Sequence, residues 1–246
     1  MKAIVLAGGF GSRLKSVIPH VPKPMAPIAG KPFLAHLLSY LQLQGINSVI
    51  LSTHYLHEQI KSYFLENYNG LNIEYVIEPE PLGTGGAIAN VFKRMAINEP
   101  VFALNGDSFT TLNFKAMYQQ HQKFSTQTLL TIALHTMKNS FRYGKACVAG
   151  SRITGFTEKD DSDPGWINAG VYVLSQDIFA SQLPKRFSFE KEFLIPNLEI
   201  LKPYAYFNRG YFIDIGLPED YARAQTELLS HIQIYNDNGK HLEFLE

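Results

Sequence analysis

Cysteine is nearly absent from this sequence: among 246 residues only Cys147 carries a thiol. That excludes an intramolecular disulfide and a cluster of thiolate metal ligands. Its neighbours Ala146 and Val148 read as a strand, so a buried structural thiol is expected rather than a nucleophile. Net charge is missing too, because 22 Lys+Arg offset 22 Asp+Glu. A partner held by many phosphate contacts, such as duplex DNA, is therefore not expected, whereas a local basic site for one small phosphorylated ligand is allowed. Long apolar runs are lacking as well. The first such stretch ends at Gly8, too short for a signal-peptide core, and no run approaches the roughly 18 residues of a membrane span. A soluble, cytoplasmic protein without membrane or nucleic-acid partners is the expectation.

What is present is an ordinary globular composition, 46% apolar and 18% charged. The length suffices for a substantial core. Ala3 to Leu6 is a short run expected to be a strand buried on both faces. Phe33, Leu34, Leu37, Leu38 and Leu41 then recur at helical spacing, with Gly45 marking the end. Val49–Leu51, Ile73–Ile77 and Val101–Leu104 read as further strands. Helices are expected at about Leu56–Glu66 and on the face formed by Ile88, Val91, Phe92 and Met95. Apolar strands alternating with amphipathic helices predict an α/β fold with a parallel sheet covered on both faces. Past about residue 112 the pattern becomes β-rich. A helix near Asn113–Gln122 precedes strand-like runs at Thr128–His135, Lys145–Ala149, Arg152–Thr157, Ile167–Leu174 and Phe212–Ile215. Pro218 opens a last helix, with Glu219 and Asp220 suiting the dipole in its first turn. No repeat or linker separates the halves, so residues 1–230 are expected to be one domain sharing one sheet.

Ligands of such sheets bind beyond the carboxyl ends of the strands. Two unusual loops lie there, Gly8–Arg13 and Asn105–Asp107. Glycines after a buried strand let backbone N–H groups approach a phosphate, although the same loop alone is compatible with a turn that binds nothing. A dinucleotide fingerprint fails at Leu14, and Gly30-Lys31-Pro32 breaks the P-loop rule. Arg13 adds a planar fork for phosphate oxygens and Lys23, held between Pro22 and Pro24, a compact cation.

Together the motifs form a pattern. Leu6-Ala-Gly-Gly-Phe-Gly-Ser-Arg-Leu14, Pro22-Lys-Pro-Met25, Gly30-Lys-Pro32, Glu78-Pro-Glu-Pro-Leu-Gly-Thr-Gly-Gly-Ala87, Asn105-Gly-Asp107, Phe156-Thr-Glu-Lys159, Ile167-Asn-Ala-Gly170 and Phe212-Ile-Asp-Ile-Gly216 resemble the sugar-phosphate nucleotidyltransferases, in the family's order, over about residues 1–228. The resemblance implies a Rossmann-like mixed sheet of the nucleotide-diphospho-sugar transferase type. It also implies a reaction joining a nucleoside triphosphate to a sugar 1-phosphate with release of pyrophosphate.

Carried onto this sequence, the family's roles place Leu6, Ala7, Gly8, Gly9, Gly11, Ser12 and Arg13 around the triphosphate. Leu82, Gly83, Thr84, Gly85 and Gly86, entering a helix, would lie against the base, and Glu78 would be among the nucleotide-binding residues. Arg13 and Lys23 would stabilise departing pyrophosphate, and Asp107 and Asp214 would hold Mg2+, a hard ion suited to carboxylate oxygens. Glu158 and Lys159 would contact the sugar phosphate, with Tyr143, Gly144, Asn168 and Gly170 lining the sugar pocket. The substrate phosphate is itself the attacker, so no covalent nucleophile is needed.

Two stretches depart from the commonest family pattern: Leu14-Lys-Ser-Val-Ile18 and Glu158-Lys159-Asp160. The first, with Lys23–Ile28, Arg142-Tyr-Gly144 and the short length, is similar to the heptose 1-phosphate guanylyltransferases. That narrower resemblance implies GTP and D-glycero-α-D-manno-heptose 1-phosphate as substrates; a hexose or amino-sugar 1-phosphate with another NTP is the alternative within the family. A glycosyltransferase on a related fold is disfavoured by Arg13 and Lys23, and a non-catalytic nucleotide-sugar sensor by the retained aspartates and lysines. His54 and His57 lack metalloprotease spacing and are expected at a helix cap or on the surface. Tyr63, Phe64, Tyr68 and Tyr75 are expected in ordinary packing. The tail, 231–246, is left open between extending the last helix and making a homo-oligomer contact.

Overall fold

The computed structural model describes residues 1–238 except 10, 12, 15–16, 20, 138–142, 158–164 and 180–182, with the backbone alone for 234–238. Strand β1 (Lys2–Leu6) is followed by a 3-10 turn at Lys23–Met25 and a hairpin, β2 (Pro27–Ile28) with β3 (Lys31–Pro32). Then come α1 (Phe33–Leu43), β4 (Ser48–Thr53), α2 (His57–Phe64), β5 (Asn67–Tyr68), β6 (Leu71–Ile77), α3 (Gly83–Arg94) and β7 (Val101–Asn105). The second half holds β8 (Ser108–Thr110), α4 (Phe114–Lys123), β9 (Leu130–Met137), β10 (Ala146–Ala149), β11 (Arg152–Phe156) and β12 (Gly165–Leu174). After α5 (Leu198–Leu201), β13 (Tyr204–Asn208), β14 (Phe212–Asp214) and α6 (Pro218–Asn238) close the chain.

The main sheet runs β10-β11-β13-β9-β12-β7-β1-β4-β6-β5. Strands β7, β1, β4 and β6 are mutually parallel, whereas β12 enters antiparallel to both β7 and β9. The expected parallel half and its β-rich extension are thus one mixed sheet. The continuous apolar run of β1 serves two cores at once. Ala3 and Val5 pack with Leu34 and Leu38 of α1, and Ile4 with Ile88 and Val91 of α3. Burial of a leucine such as Leu38 contributes roughly 1.5–3 kcal/mol, and either layer of helices lost would strip one face of the strand.

Two features position the site. First, β1 and β7 are neighbours, so the loops that follow them share one crevice; Gly106 N–H donates to the Leu6 carbonyl at 2.9 Å. Second, β14 pairs antiparallel with β8 in a separate two-stranded sheet, with Asp214 opposite Ser108. Ile215 N–H also donates to the Asp107 carbonyl at 3.1 Å. This small sheet closes a separation of 107 residues along the chain and sets the two aspartates side by side.

Two expectations change. Cys147 is exposed, not buried. Its strand β10 is the outer strand of the sheet, and the pleat turns Ala146 inward and Cys147 out. Strand β13, parallel to β9, was not anticipated, nor was the π-helical turn Phe189–Leu194. The last helix extends through Asn238, which takes the first part of the tail into α6. No helix among the described residues is long and apolar enough to cross a membrane.

Two buried histidines make stability pH-dependent. His121 lies between the Thr131 and Ser175 hydroxyls, each at 3.0 Å, and His135 stacks on Phe212. Burial pushes both down to about 4 from an ordinary 6.5. With folded values depressed, the unfolded chain takes up protons first, so stability is full above about 6.5 and lost as pH falls towards about 4, by a few kcal/mol for the pair. Urea midpoints should fall over this range and fall less steeply in His121→Gln. A midpoint slope unchanged by that substitution would contradict the assignment.

Candidate active site

A cavity of about 540 Å³ opens beyond the carboxyl ends of β1 and β7. The loop after β1 forms one wall, with Gly8, Gly9, Gly11 and Arg13 on the lining. Gly11 sits at φ +58, and a Cβ there would stand 2.8 Å from Lys23 Cβ. A glycine is needed both for that backbone shape and for seating the loop directly on the lysine.

At the floor, Lys23 Nζ donates to Asp107 Oδ2 at 2.6 Å and to Asp214 Oδ1 at 3.1 Å. Asp214 Oδ1 also accepts from Gly216 N–H at 2.8 Å, and a Cβ on Gly216 would press on both Asp214 and Lys23 Nζ at 3.0 Å. Burial by itself would lower the Lys23 pKa; the Asp107 and Asp214 carboxylates outweigh it, and the net shift is upward. The ammonium is therefore a fixed positive charge, held between two carboxylates converging on one point.

Glu78, which follows β6, lines the same cavity and is almost fully buried, its Oε1 lying 3.0 Å from where a Cβ on Gly8 would stand. Its Oε1 accepts from Ser52 Oγ at 3.0 Å and its Oε2 from Leu82 N–H at 3.1 Å. Burial raises its pKa, while those two hydrogen bonds pull back towards the charged form. The carboxylate is locked in place, with further lone pairs on each oxygen. Leu82, Gly83 and Thr84 continue the lining into the amino terminus of α3. Gly83 has φ +71, and a Cβ would lie 2.6 Å from the Phe187 carbonyl oxygen. Gly83→Ala is expected to destabilise the fold by about 2 kcal/mol or more, since left-handed strain and a backbone clash coincide. An unchanged urea midpoint would contradict this.

The structure brings together on the lining Leu6, Gly8, Gly9, Gly11, Arg13, Lys23, Glu78, Leu82, Gly83, Thr84, Asp107 and Asp214. Ala7 and Gly85 stand behind it: Ala7 is fully buried and Gly85 packs against the Phe187 ring. The described residues expected around the sugar are not on the cavity lining. Tyr143 packs edge-on to Phe212, Gly144 lies against the Thr157 carbonyl, and Asn168 Oδ1 accepts from Gly170 N–H at 2.9 Å. Ser12, Glu158 and Lys159 lie outside the described residues, as do Phe10, Asp160 and Arg142. Asn105 and Gly216 line the cavity without having been given a role, though both stand inside motifs that the sequence displays. Glu190, which hydrogen-bonds Asn168, had no motif to mark it. His54 Nδ1 is bonded to the Glu78 carbonyl at 2.9 Å, a supporting role. Among the described residues no group of three or more His, Cys, Asp or Glu side chains is placed to hold a metal.

One cavity thus gathers a glycine loop, two convergent carboxylates with a buried lysine, and a locked glutamate. Residues 2–231 match the nucleotidyl transferase family model, and the chain belongs to that family. It is an enzyme of the nucleotidyltransferase type, on the mixed sheet its family shares. It is 46% identical over 233 residues to the D-glycero-alpha-D-manno-heptose 1-phosphate guanylyltransferase of Aneurinibacillus thermoaerophilus, covering 94% of this chain and 100% of that one. The Campylobacter jejuni protein of the same name is 44% identical, covering 90% of this chain and 97% of its own. The crystal structure of HddC from Yersinia pseudotuberculosis superposes with a TM-score of 0.81 at 37% identity, over 92% of this chain and 99% of that one. The same protein complexed with GMP-PN gives a TM-score of 0.78 at 36% identity, with the same coverage.

Proposed function

We propose that this chain transfers the guanylyl group of GTP to D-glycero-α-D-manno-heptose 1-phosphate, giving GDP-heptose and pyrophosphate. The observation that carries the choice of base is Glu78. An ionised carboxylate only accepts hydrogen bonds. Guanine alone among the common bases presents two adjacent donors, N1–H and the 2-amino group, on one edge. Uracil and thymine offer one N–H flanked by carbonyls, and adenine and cytosine put a ring acceptor beside their amino group. A buried, immobile carboxylate favours the first and leaves the others unmatched. The choice of sugar rests on the two guanylyltransferase relatives, each matched over nearly its whole length.

The rest of the site fits nucleotidyl transfer. The backbone of Gly8 to Arg13, with the Arg13 guanidinium, would hold the triphosphate, and Lys23 would meet the charge growing on departing pyrophosphate. To do so, the Lys23 ammonium must turn from the aspartates towards the phosphates. Asp107 and Asp214 would hold Mg2+, which is commonly bound by one or two carboxylates with phosphate oxygens and water completing its shell. Two carboxylates converging on one cation, with no third protein ligand among the described residues, fit an ion shared with substrate. When bound, Mg2+ would neutralise phosphate charge and orient the α-phosphate. Lys159, next to Glu158, would place the sugar phosphate oxygen in line with the α-phosphorus, and Tyr143, Gly144, Asn168 and Gly170 would surround the sugar. Residues 1–230 would act as a single domain in the cytoplasm.

Pyrophosphate release should be measured for GTP, ATP, CTP, UTP and dTTP, each against heptose, mannose, glucose and N-acetylglucosamine 1-phosphates. GTP with the heptose should give the highest kcat/KM. A preference for UTP or for a hexose would overturn the substrate pair but leave the family reading intact, whereas no release with any pair would favour a sensor.

A further inference from the structure

One polar residue bonded to Asn168, Glu190, is left without a part in these roles. Glu190 lies in the π-helical turn Phe189–Leu194, a rare form that often marks functional sites. The turn is firmly capped: Ser188 Oγ accepts from Lys191 N–H at 3.2 Å, and Glu192 Oε2 accepts from Ser188 N–H at 2.6 Å. Glu190 is exposed, yet its carboxylate is held in one place. Its Oε1 accepts from the Tyr172 hydroxyl at 2.8 Å and from Asn168 Nδ2 at 2.9 Å. Asn168 Nδ2 also donates to the Tyr172 hydroxyl oxygen at 2.8 Å, and Gly170 N–H fixes the other end of the Asn168 amide. Tyr172 is only 4% exposed, so its ring cannot wander.

The assembly borders the cavity on two sides. Phe189 N–H, next to Glu190, donates to Thr84 Oγ1 at 2.9 Å, and Thr84 is on the lining. Gly170 lies so close to Asn105, also on the lining, that a Cβ would come within 2.7 Å of its Nδ2. Among the described residues none donates to Glu190 Oε2. The amide of Asn168 is meanwhile fully engaged on its nitrogen side, so the group that this corner offers outward is the second carboxylate oxygen.

We infer that Glu190 is a sugar-binding residue: its Oε2 accepts a hydrogen bond from a hydroxyl of the sugar 1-phosphate, while Asn168 and Tyr172 act as positioning residues. This rests on the proposed nucleotidyl transfer and names a specificity element for its second substrate. A carboxylate suits the task because sugar hydroxyls donate readily and a charged acceptor makes the stronger bond. Fixing it in advance removes most of the ordering cost on binding. The bland reading is that Glu190 merely satisfies the buried Tyr172 hydroxyl, and the test must separate the two.

Glu190→Gln does so, since the amide oxygen can still accept from Tyr172 and Asn168 while the outward atom becomes a donor. The KM for the sugar 1-phosphate should rise about tenfold with the GTP KM within about twofold of wild type. Deoxy analogues removing each sugar hydroxyl in turn then locate the contact. The hydroxyl whose loss costs wild type about tenfold should cost the variant less than about twofold. Tyr172→Phe keeps the ring, loosens the carboxylate and should shift the sugar KM the same way by a smaller factor. A wild-type sugar KM in Glu190→Gln, or equal penalties for every analogue in both proteins, would overturn the inference. Should wild type release no pyrophosphate with any pair, the nucleotidyl-transfer reading fails by itself. Calorimetry with heptose 1-phosphate then tests Glu190: weaker binding by the variant supports it, and equal or absent binding by both overturns it.

Discussion

Asp107→Ala and Asp214→Ala are each expected to lower kcat by about a thousandfold while the fold survives. Both carboxylates converge on the Lys23 ammonium, at 2.6 and 3.1 Å, and each is more than a third exposed to the cavity, so neither supports the core. Each substitution leaves Lys23 one partner. The double variant leaves a largely buried ammonium with none, which pulls its pKa down and removes the carboxylates available to a metal. Pyrophosphate release, with thermal melts as a control, reads the effect. Near-normal release from a well-folded double variant would remove these residues from the reaction.

Glu78→Gln should lower kcat/KM for GTP by about ten- to a hundredfold, the range of a lost two-donor match, and narrow the gap between GTP and the other triphosphates. Gln keeps the length and one acceptor but sets an amide donor against a guanine donor. A pH signature accompanies it. Burial raises the Glu78 pKa, so protonation on acidification reaches this carboxyl before an ordinary one and would remove the acceptor proposed for guanine. The GTP KM should therefore climb at acid pH in wild type and stay flatter in Glu78→Gln. Identical base preferences and identical pH profiles in the two proteins would mean that the glutamate does not read the base.

The parts of this site that sequence makes legible are local. Gly8 to Arg13 follow a strand whose continuous apolar run announces burial on both faces, and Asp107 follows another of the same kind. Strand-end position and motif order then suffice to place them. Legibility ends where distant segments must meet. Nothing local to Lys23 says that its ammonium will bridge two aspartates, because that depends on β14 pairing with β8. Glu78 carries a motif, but what fixes its carboxylate is Ser52 and Leu82, which hold both its oxygens. Glu190 is one acidic residue among several in a charged stretch, and only the Tyr172 and Asn168 contacts set it apart. Strand β13 was hidden because Tyr204 to Asn208 shows no clean alternation and follows Pro203. Cys147 misled because an apolar-looking strand is buried only when the sheet continues beyond it, and here the sheet ends.

The fate of the α-phosphate of GTP is the most direct test of guanylyl transfer. GTP radiolabelled at that phosphate should be incubated with magnesium and D-glycero-α-D-manno-heptose 1-phosphate, and the products separated. Label should enter GDP-heptose in step with pyrophosphate release, and UTP labelled in the same way should transfer far more slowly. Label recovered only as GMP, or passed to the sugar more readily from UTP than from GTP, would contradict the proposed transfer.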